Sequence, residues 1–551
     1  MASEPMDVAP RRVTVEGKPS PVRSSSVPDD RRRRLTLFGL AVVSVLALLV
    51  SVGVDHFKGD SSPASASGRD GGDGTTTTGS DDDGGDDGEE AEPEDPGVFE
   101  TDFAGFADPA GFTKPYPNAT VRGLLTFRGN PSRSYYGLGP VPSAPRVLYK
   151  FPDEPMCKSS SNLGETKVWC GMGWTGQPTI VERDDRTWAI FGGYDGHIHF
   201  MDTATGERIL PDVETGDIIK GTPTIDPESF PLVYSGSRDD QLRIIAFDRA
   251  GTAEVLWSLD SESICPCLWN DDWDSSPIIL GDYMVVGSES SRFWVIKLNR
   301  TYDTAGLVQV APEVVFSEQA WDDEVIAANG GDEHASVESS VTIVGDVAYF
   351  GTSAGLILGY DLDGVDEGTA PRRVFRFYTA GDNDASVVAD DEGMLYVGSQ
   401  NDRPDNPRVA EVGQLTKLDP SKPDNPIVWK FTETDGPGGI YGTPGIVGDT
   451  IVAASDAGRL IGLDRATGAV KWERQLPGPA WGSPVIVDDV LLIGDCLEGN
   501  FHAFDMSDPD IAPPELWSVN LGGCIAATPA VWKGRIYIGS RAGHLYVLGD
   551  A

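Results

Sequence analysis

Three carboxylates stand at equivalent points of three consecutive repeats. Asp274, Glu338 and Asp384 each lie three residues before the first strand of a repeat. If the repeats surround one axis, these side chains converge, and their oxygens can bind a cation such as Ca²⁺ or a cationic ligand. Lys220 occupies the same point of the preceding repeat, so the alternative is a set of solvated loops with this lysine as partner. The sequence predicts a cation site and leaves that alternative open.

Aromatic side chains are concentrated in the same loops. Beside an acidic edge they predict a contact face for a peptide or a glycan. For any single one of them, packing between neighbouring sheets is the simpler role. The residues of this predicted ligand face are Trp174, Trp273, Trp321, Tyr441 and Trp481, and Trp169 and Trp269 lie on the same rim.

The six cysteines form an even set. Three pairings suit their positions, although six cysteines allow fifteen connectivities. One pair would clip loops of the last two repeats together, one would close a small loop ahead of the first repeat, and one would form a local ring. The predicted pairs are Cys496 with Cys524, Cys157 with Cys170, and Cys265 with Cys267.

A repeat of four short strands positions these residues. In the clearest copy, Trp481-Gly-Ser-Pro484 opens a strand, and a fourth strand follows at 515–519. The first strands are predicted to begin near Pro178, Pro223, Pro277, Val341, Val387, Pro444, Pro484 and Pro529. The third strands are predicted at 198–202, 244–248, 294–298, 357–361, 415–419, 461–464, 501–505 and 545–548. Intervals of this size are typical of propellers.

The last repeat ends without a fourth strand. Arg146–Phe151 resembles the fourth strands at 255–257 and 427–431. A strand from the N-terminal side that completes the last sheet would close a ring and remove exposed sheet edges. The predicted fold class is therefore all-β, an eight-bladed β-propeller over 146–551 that follows an irregular lead-in over 98–145.

An apolar run precedes the lead-in. Residues 35–54 carry no charge and have the length that a helix needs to cross about 30 Å of hydrocarbon. Basic residues before this run place the N-terminus in the cytoplasm. We expect a disordered basic leader over 1–34, a single-pass signal anchor in the cell membrane over 35–54, and a disordered acidic linker over 55–97. The propeller would then be extracytoplasmic. A cleaved signal peptide is the alternative.

The composition limits the partners. A net charge of −43 disfavours binding to nucleic acid and favours cationic partners. The 65 glycines and 40 prolines suit short strands with many tight turns.

The repeats resemble those of the pyrroloquinoline-quinone-like (PQQ-like) propeller family. The best match is 461–472, with a third strand that ends in Asp464, a Thr467-Gly468 turn and an aromatic outer strand. The lead-in Phe127-Arg-Gly-Asn-Pro-Ser-Arg133 is similar to the segment before the first blade in that family. The resemblance covers about four-fifths of the chain. It implies either a quinoprotein dehydrogenase or a cofactor-free binding propeller, such as the outer-membrane assembly lipoprotein.

The sequence departs from the enzyme branch of the family. In the dehydrogenases, adjacent cysteines form a disulfide on which the quinone stacks, whereas Pro266 separates Cys265 from Cys267 here. We therefore expect a binding or scaffolding module of the bacterial cell envelope rather than an enzyme. Its expected partner is another envelope protein, a peptide or a glycan. Neither a cofactor nor pyrroloquinoline quinone is expected, although calcium stays open. The alternatives are a calcium- and quinone-dependent dehydrogenase and an extracytoplasmic sensor.

Overall fold

The computed structural model describes residues 97–550 apart from 163, 174–175 and 434–437. The predicted leader and anchor, and nearly all of the predicted linker, lie outside the described residues. In the part of the chain that is described, no helix has the length and apolar character needed to cross a membrane.

The described chain is an eight-bladed β-propeller, as predicted. Each blade is an antiparallel sheet of four strands that follow one another in the chain, and two blades gain an extra strand. The first and third strands lie where the repeat placed them, because alternating Val and Ile residues bury one face of each strand against the next blade. Large apolar side chains thus fill the spaces between blades.

The strands of blades 1 to 4 follow in chain order. Blade 1 is Thr179–Arg183, Arg186–Gly192, His197–Asp202 and Val213–Glu214. Blade 2 is Thr224–Ile225, Leu232–Ser235, Gln241–Arg249 and Thr252–Asp260. Blade 3 is Ile278–Leu280, Tyr283–Ser288, Arg292–Lys297 and Glu313–Gln319. Blade 4 is Thr342–Val344, Val347–Gly351, Leu356–Asp361 and Arg372–Tyr378.

Blades 5 to 8 complete the ring. Blade 5 is Val388–Ala389, Leu395–Gly398, Leu415–Leu418 and Ile427–Phe431. Blade 6 is Gly445–Val447, Thr450–Ala454, Arg459–Asp464 and Val470–Gln475. Blade 7 is Val485–Val487, Val490–Gly494, Asn500–Asp505 and Glu515–Asn520. Blade 8 is Ala530–Trp532, Arg535–Ser540, His544–Gly549 and the early strand Arg146–Phe151.

Short elements lie outside the blades. Two hairpins are formed by Cys157–Asn162 with Glu165–Cys170 and by Thr301–Tyr302 with Val308–Gln309. Two α-helical turns span Asp323–Ala328 and Pro407–Val412, and two 3₁₀ turns span Pro109–Gly111 and Val365–Glu367.

The closing strand confirms the predicted ring. Arg146–Phe151 pairs antiparallel with His544–Gly549, so the outermost strand of the last blade comes from the N-terminal side of the ring. The lead-in also adds inner strands that its irregular sequence does not predict. Gly123–Leu124 pairs with blade 1, and Gly137–Leu138 pairs in parallel with blade 8.

A belt of hydroxyl groups joins the inner strands around the axis. In six successive contacts, the backbone N–H before each first strand donates to the Ser or Thr hydroxyl of the next blade, at 2.8–3.4 Å. The residues of this belt are Thr222, Ser276, Ser340, Ser386, Thr443, Ser483 and Thr528. Most of them precede a proline, which leaves the ladder unharmed at a strand's first position. The Ser/Thr-Pro pattern therefore has a second cause, because the hydroxyl connects the blades.

The lead-in covers one end of the propeller. We call this end the lower face. The upper face carries the loops that enter each first strand and the loops between second and third strands. The lead-in contacts the lower-face turn of blade 2 through Thr120 and Pro227, at 2.8 Å, and that of blade 4 through Ala107 and Gly345. It reaches blade 7 through the indole of Trp517, which donates to the Pro142 carbonyl at 3.0 Å.

Two arginines of the lead-in fill the axis. Arg128 and Arg133 are fully buried and donate their hydrogen bonds to backbone and hydroxyl oxygens. Arg133 donates to the carbonyls of Val341, Phe127 and Ser276 at 2.8–3.3 Å. Burial lowers the pKa of Arg133 to about 9. The predicted lead-in is thus an axial plug that ties non-adjacent blades together.

Candidate ligand-binding site on the upper face

The upper face of blades 2 and 3 holds a buried lysine among three carboxylates. The Lys220 ammonium pairs with Asp274, lies 2.9 Å from Glu289 and 3.5 Å from Asp272. Arg238 lies 2.5 Å from Asp272 and neutralises it in part. We call these three carboxylates and Lys220 the lysine cluster. The structure therefore brings Asp274 to Lys220, which is the partner that the sequence left open.

The charged groups of the lysine cluster shift one another's pKa values. Burial alone would lower the pKa of Lys220, but Asp274, Glu289 and Asp272 hold it well above its usual value. Burial and the neighbouring Glu289 raise the pKa of Asp272 to about 7. Burial would raise the pKa of Glu289, but the neighbouring Lys220 opposes this effect and lowers the pKa to about 2. The lysine is thus a fixed internal cation, and its carboxylates are largely committed to it.

Blades 4 and 5 carry a second acidic group without such a lysine. We call Glu338, Asp382 and Asp384 the carboxyl pocket. The side chains of Asp382 and Asp384 are hydrogen-bonded to each other, and the Gln400 amide donates to Asp384. Asp382 is 5 % exposed, and its Oδ1 has no hydrogen-bond partner.

Glu338 lies at the more exposed edge of the carboxyl pocket. It accepts a hydrogen bond from Ser336 at 3.0 Å, and the His334 ring lies 3.9 Å from it. A small axial cavity opens beside Asp384, and Tyr441 lines it as well. Of the three carboxyl groups, Asp384 is the one that lines this cavity, whose volume is about 10 Å³.

The two aspartates of the pocket resist ionisation together. Burial, with Glu338 and Asp402 nearby, raises the pKa of Asp382 to about 8. Burial, Asp382 and Glu338 likewise raise the pKa of Asp384 well above its usual value. A proton held in the pair is consistent with their mutual hydrogen bond, and a bound cation would displace it.

This pair predicts a pH dependence of stability. Both folded-state pKa values exceed the unfolded value of about 3.9, so the folded chain binds more protons between about pH 4 and pH 8. The pair's contribution is fully present below that range and is lost as the pH rises through about 8. The free energy of unfolding is measured with denaturant at pH 5, 6.5 and 8. Between pH 5 and pH 8 it should fall less for a D382N/D384N chain than for the wild type. Equal losses in both chains would contradict the assignment.

The predicted aromatic face divides into several environments. Trp273 is fully buried in the core, where its indole donates to the Asp240 carbonyl at 2.9 Å, so it cannot contact a ligand and the packing role applies. Trp321 is half-buried and packs against a cluster of buried apolar side chains. Trp174 lies outside the described residues. Tyr441 and Trp481 do face each other on the upper face, with ring centroids 6.3 Å apart.

Trp269, which the sequence places among the same rim aromatics, is exposed on the upper face. It is 39 % exposed and stacks on His334, with ring centroids 3.9 Å apart. Its φ of +72° is unusual for a bulky residue. The sequence gives no signal for this contact, because the two residues belong to loops of different blades.

The carboxylate spacing bears on the predicted metal site. Among the described residues, two groups bring three ligand oxygens within 4.8 Å of one another. They are Asp240, Asp271 and Asp272, and the trio Asp272, Asp274 and Glu289. The second group already surrounds Lys220. Glu338 and Asp384 belong to neither, so the predicted trio of Asp274, Glu338 and Asp384 is split between the lysine cluster and the carboxyl pocket.

The three predicted disulfides are present in the structure. Cys496–Cys524 joins the loop after the second strand of blade 7 to the loop that enters blade 8. Cys157–Cys170 closes the hairpin ahead of blade 1, and Cys265–Cys267 lies in the loop that leads to Asp272. No free cysteine occurs in the described chain. The disulfides thus brace the loops of the upper face.

Alignment of the repeats could not find every member of the site. Glu289 lies between the second and third strands of blade 3, away from the aligned position, and only the closed ring brings it to Lys220. Gln400 occupies the corresponding loop of blade 5 and donates to Asp384. Such contacts between loops of unequal length leave no periodic signal in the sequence.

Comparison with known proteins agrees with this architecture. Residues 411–548 match the family model described as "Outer membrane protein assembly factor BamB". No curated protein matches the chain.

Two of the many solved structures that resemble the chain are the following. BamB from Moraxella catarrhalis is 14% identical, with 74% of this chain and 99% of that chain covered and a TM-score of 0.35. Quinohemoprotein alcohol dehydrogenase from Comamonas testosteroni is 12% identical, with 78% and 81% covered and a TM-score of 0.49. The family-model match over 411–548 and the eight four-stranded blades together support a PQQ-like repeat β-propeller.

Proposed function

We propose that the chain is a membrane-anchored, extracytoplasmic binding module whose upper face holds another protein of the cell envelope. The observation that carries this proposal is the asymmetry of the two faces. The lead-in covers the lower face and plugs the axis, whereas the upper face presents the carboxyl pocket beside Tyr441 and Trp481. Rigid loops with buried polar groups and exposed aromatics are typical of recognition surfaces.

Two further features support an extracytoplasmic scaffold. Three disulfides brace the upper-face loops, and disulfides persist in oxidising compartments. The matched family model carries the description of an outer-membrane assembly factor, which fits a role in holding envelope proteins. A non-enzymatic role is proposed because Pro266 separates the two cysteines that would have to be adjacent to form a quinone platform.

Site-specific photo-crosslinking tests which face binds. A photoreactive amino acid replaces Leu497, which is 69 % exposed in an upper-face loop of blade 7, in the full-length chain within the cells that produce it. The matched control places it at Leu516, which is 49 % exposed on the outer strand of the same blade. We expect a discrete protein adduct from position 497 and none from position 516. Equal adducts from both positions, or none from either, would contradict the proposal.

A further inference from the structure

We propose that the carboxyl pocket of Glu338, Asp382 and Asp384 binds the ammonium group of a lysine side chain presented by the partner. The proposal rests on the proposed function, in which the upper face is the binding face. It adds the chemical class of the group that is recognised.

The chain contains its own example of such binding. In blade 3 the motif Asp272-Trp-Asp274 precedes the first strand, and both carboxylates surround Lys220, which comes from the aligned position of blade 2. Blade 5 repeats the motif as Asp382-Asn-Asp384. The aligned position of blade 4, however, holds Glu338 instead of a lysine. The ring thus repeats the ammonium-binding carboxylates but replaces the ammonium with a third carboxylate.

The carboxyl pocket is left with unused binding capacity. The buried Oδ1 of Asp382 has no hydrogen-bond partner, and its carboxyl shares a hydrogen bond with Asp384. The nearest cations are engaged elsewhere or weakly placed. Arg403 contacts Asp402 at 2.8 Å and Asp332 at 3.1 Å, and His334 lies 3.9 Å from Glu338 under Trp269. An incoming ammonium supplies three donors and a positive charge in this place.

The geometry favours an organic ammonium over a metal ion. A calcium ion needs six to eight oxygens at about 2.3–2.6 Å. The three carboxyls of the pocket are not among the groups of the described chain whose oxygens converge within 4.8 Å. Tyr441, which lines the cavity beside Asp384, offers an aromatic face to a cation. Asp384 is 9 % exposed, and a lysine carries its charge at the end of a slender apolar stem.

Binding of a defined peptide tests the inference. The probe is acetyl-tetralysine amide, titrated calorimetrically into the full-length chain at pH 7 and constant ionic strength. Its control is the same peptide acetylated at every Nε. The variants Asp384→Asn and Asp382→Asn remove charge with little change in shape. Glu367→Gln removes the same charge at an exposed position of blade 4 away from the pocket.

We expect each Asn variant to weaken tetralysine binding by about tenfold or more, as loss of a close charge pair does. Glu367→Gln should leave the affinity within about twofold of the wild type, as expected for an exposed charge. The acetylated peptide should not bind. Thermal midpoints of the Asn variants at or above that of the wild type would show that they fold, because the substitutions relieve repulsion.

Three outcomes would overturn the inference. They are unchanged affinity in both Asn variants, an equal loss in Glu367→Gln, and binding of the acetylated peptide. These results are separable from the proposed function. A crosslink at position 497 without tetralysine binding retains the binding face and rejects the lysine pocket. Tetralysine binding that depends on Asp384 without a crosslink at position 497 retains the pocket and rejects the protein partner.

Discussion

Arg133→Ala is expected to lower the free energy of unfolding by roughly 4 kcal/mol or more, or to prevent folding. The guanidinium donates to the Val341, Phe127 and Ser276 carbonyls and to the Thr126 hydroxyl, all in the buried axis. Each acceptor left without a donor costs about 1–3 kcal/mol. The substitution also leaves an axial cavity, which adds to the loss.

The arrangement of its contacts explains why Arg133 should matter so much. Its acceptors lie in the lead-in and at the starts of blades 3 and 4, while Arg128 reaches the carbonyls of Thr443, Pro444 and Pro484 in blades 6 and 7. The two side chains therefore connect opposite sides of the ring. A planar fork of five donors suits this task, and Arg133→Lys should recover only part of the loss.

Chemical denaturation of the full-length chain measures the effect of Arg133→Ala. The matched control is Arg372→Ala, because the Arg372 side chain is 76% exposed and pairs only with Asp361 at 3.2 Å. Such a surface pair contributes about 0–1 kcal/mol. If both variants unfold at the same denaturant concentration, the axial plug does not stabilise the ring.

The sequence predicts the ring because its determinants are local. The first strands of blades 2 to 8 begin where a Ser or Thr stands before Pro or Val, and the hydroxyl belt shows why that residue type recurs. The closing strand Arg146–Phe151 was predicted from its likeness to other outer strands, since the last blade has an unfilled edge. The repeat period and the turn residues thus act over short distances and leave clear patterns, whereas the closing strand is recognised by its likeness to the other outer strands.

The axial plug and the site partners could not be predicted in the same way. The sequence Phe127-Arg-Gly-Asn-Pro-Ser-Arg133 resembles a family segment, but nothing in it shows that both arginines are fully buried. Burial of an arginine without a carboxylate runs against the usual preference. It depends on carbonyls that converge only when the ring is closed. Trp273 shows the reverse case, since it stands between two acidic residues in the sequence and is nevertheless in the core.

The sequence aligns residues that lie at the upper face, but it does not show that they separate into the lysine cluster and the carboxyl pocket. Alignment placed Lys220, Asp274, Glu338 and Asp384 at one level of the ring, and the structure keeps them around the upper face. The loops then decide which carboxylate meets the lysine. Glu289 and Asp272 complete the lysine cluster, and Asp382 adds a second aspartate beside Asp384 in the carboxyl pocket.

Lys220→Met is expected to destabilise the folded chain by about 3–5 kcal/mol at pH 8, because it leaves buried carboxylates without their cation. Lys220 is buried between Asp274, Glu289 and Asp272, and Arg238 compensates only one of them. Methionine fills similar space, so the loss reports on charge more than on packing.

The destabilisation should shrink as the pH falls. Without Lys220, the pKa values of Asp272 and Asp274 rise further above their unfolded values, so the folded variant binds more protons than the unfolded chain. Its stability is then present at low pH and is lost as the pH rises through those raised values. Denaturant unfolding at pH 5 and pH 8 should show the smaller difference from wild type at pH 5. A difference independent of pH would indicate that packing, and not charge, is responsible.

A second substitution separates the two causes more sharply. In Lys220→Met with Asp274→Asn, one of the stranded charges is gone, and the loss at pH 8 should be smaller than for Lys220→Met alone. Asp384→Asn in the Lys220→Met background is the matched control, because the carboxylates that act most on Lys220 are Asp274, Glu289 and Asp272. If both second substitutions restore stability equally, the lysine cluster and the carboxyl pocket act as one electrostatic unit. Selective recovery through Asp274 would establish that the charge of Lys220 is balanced mainly within its own cluster.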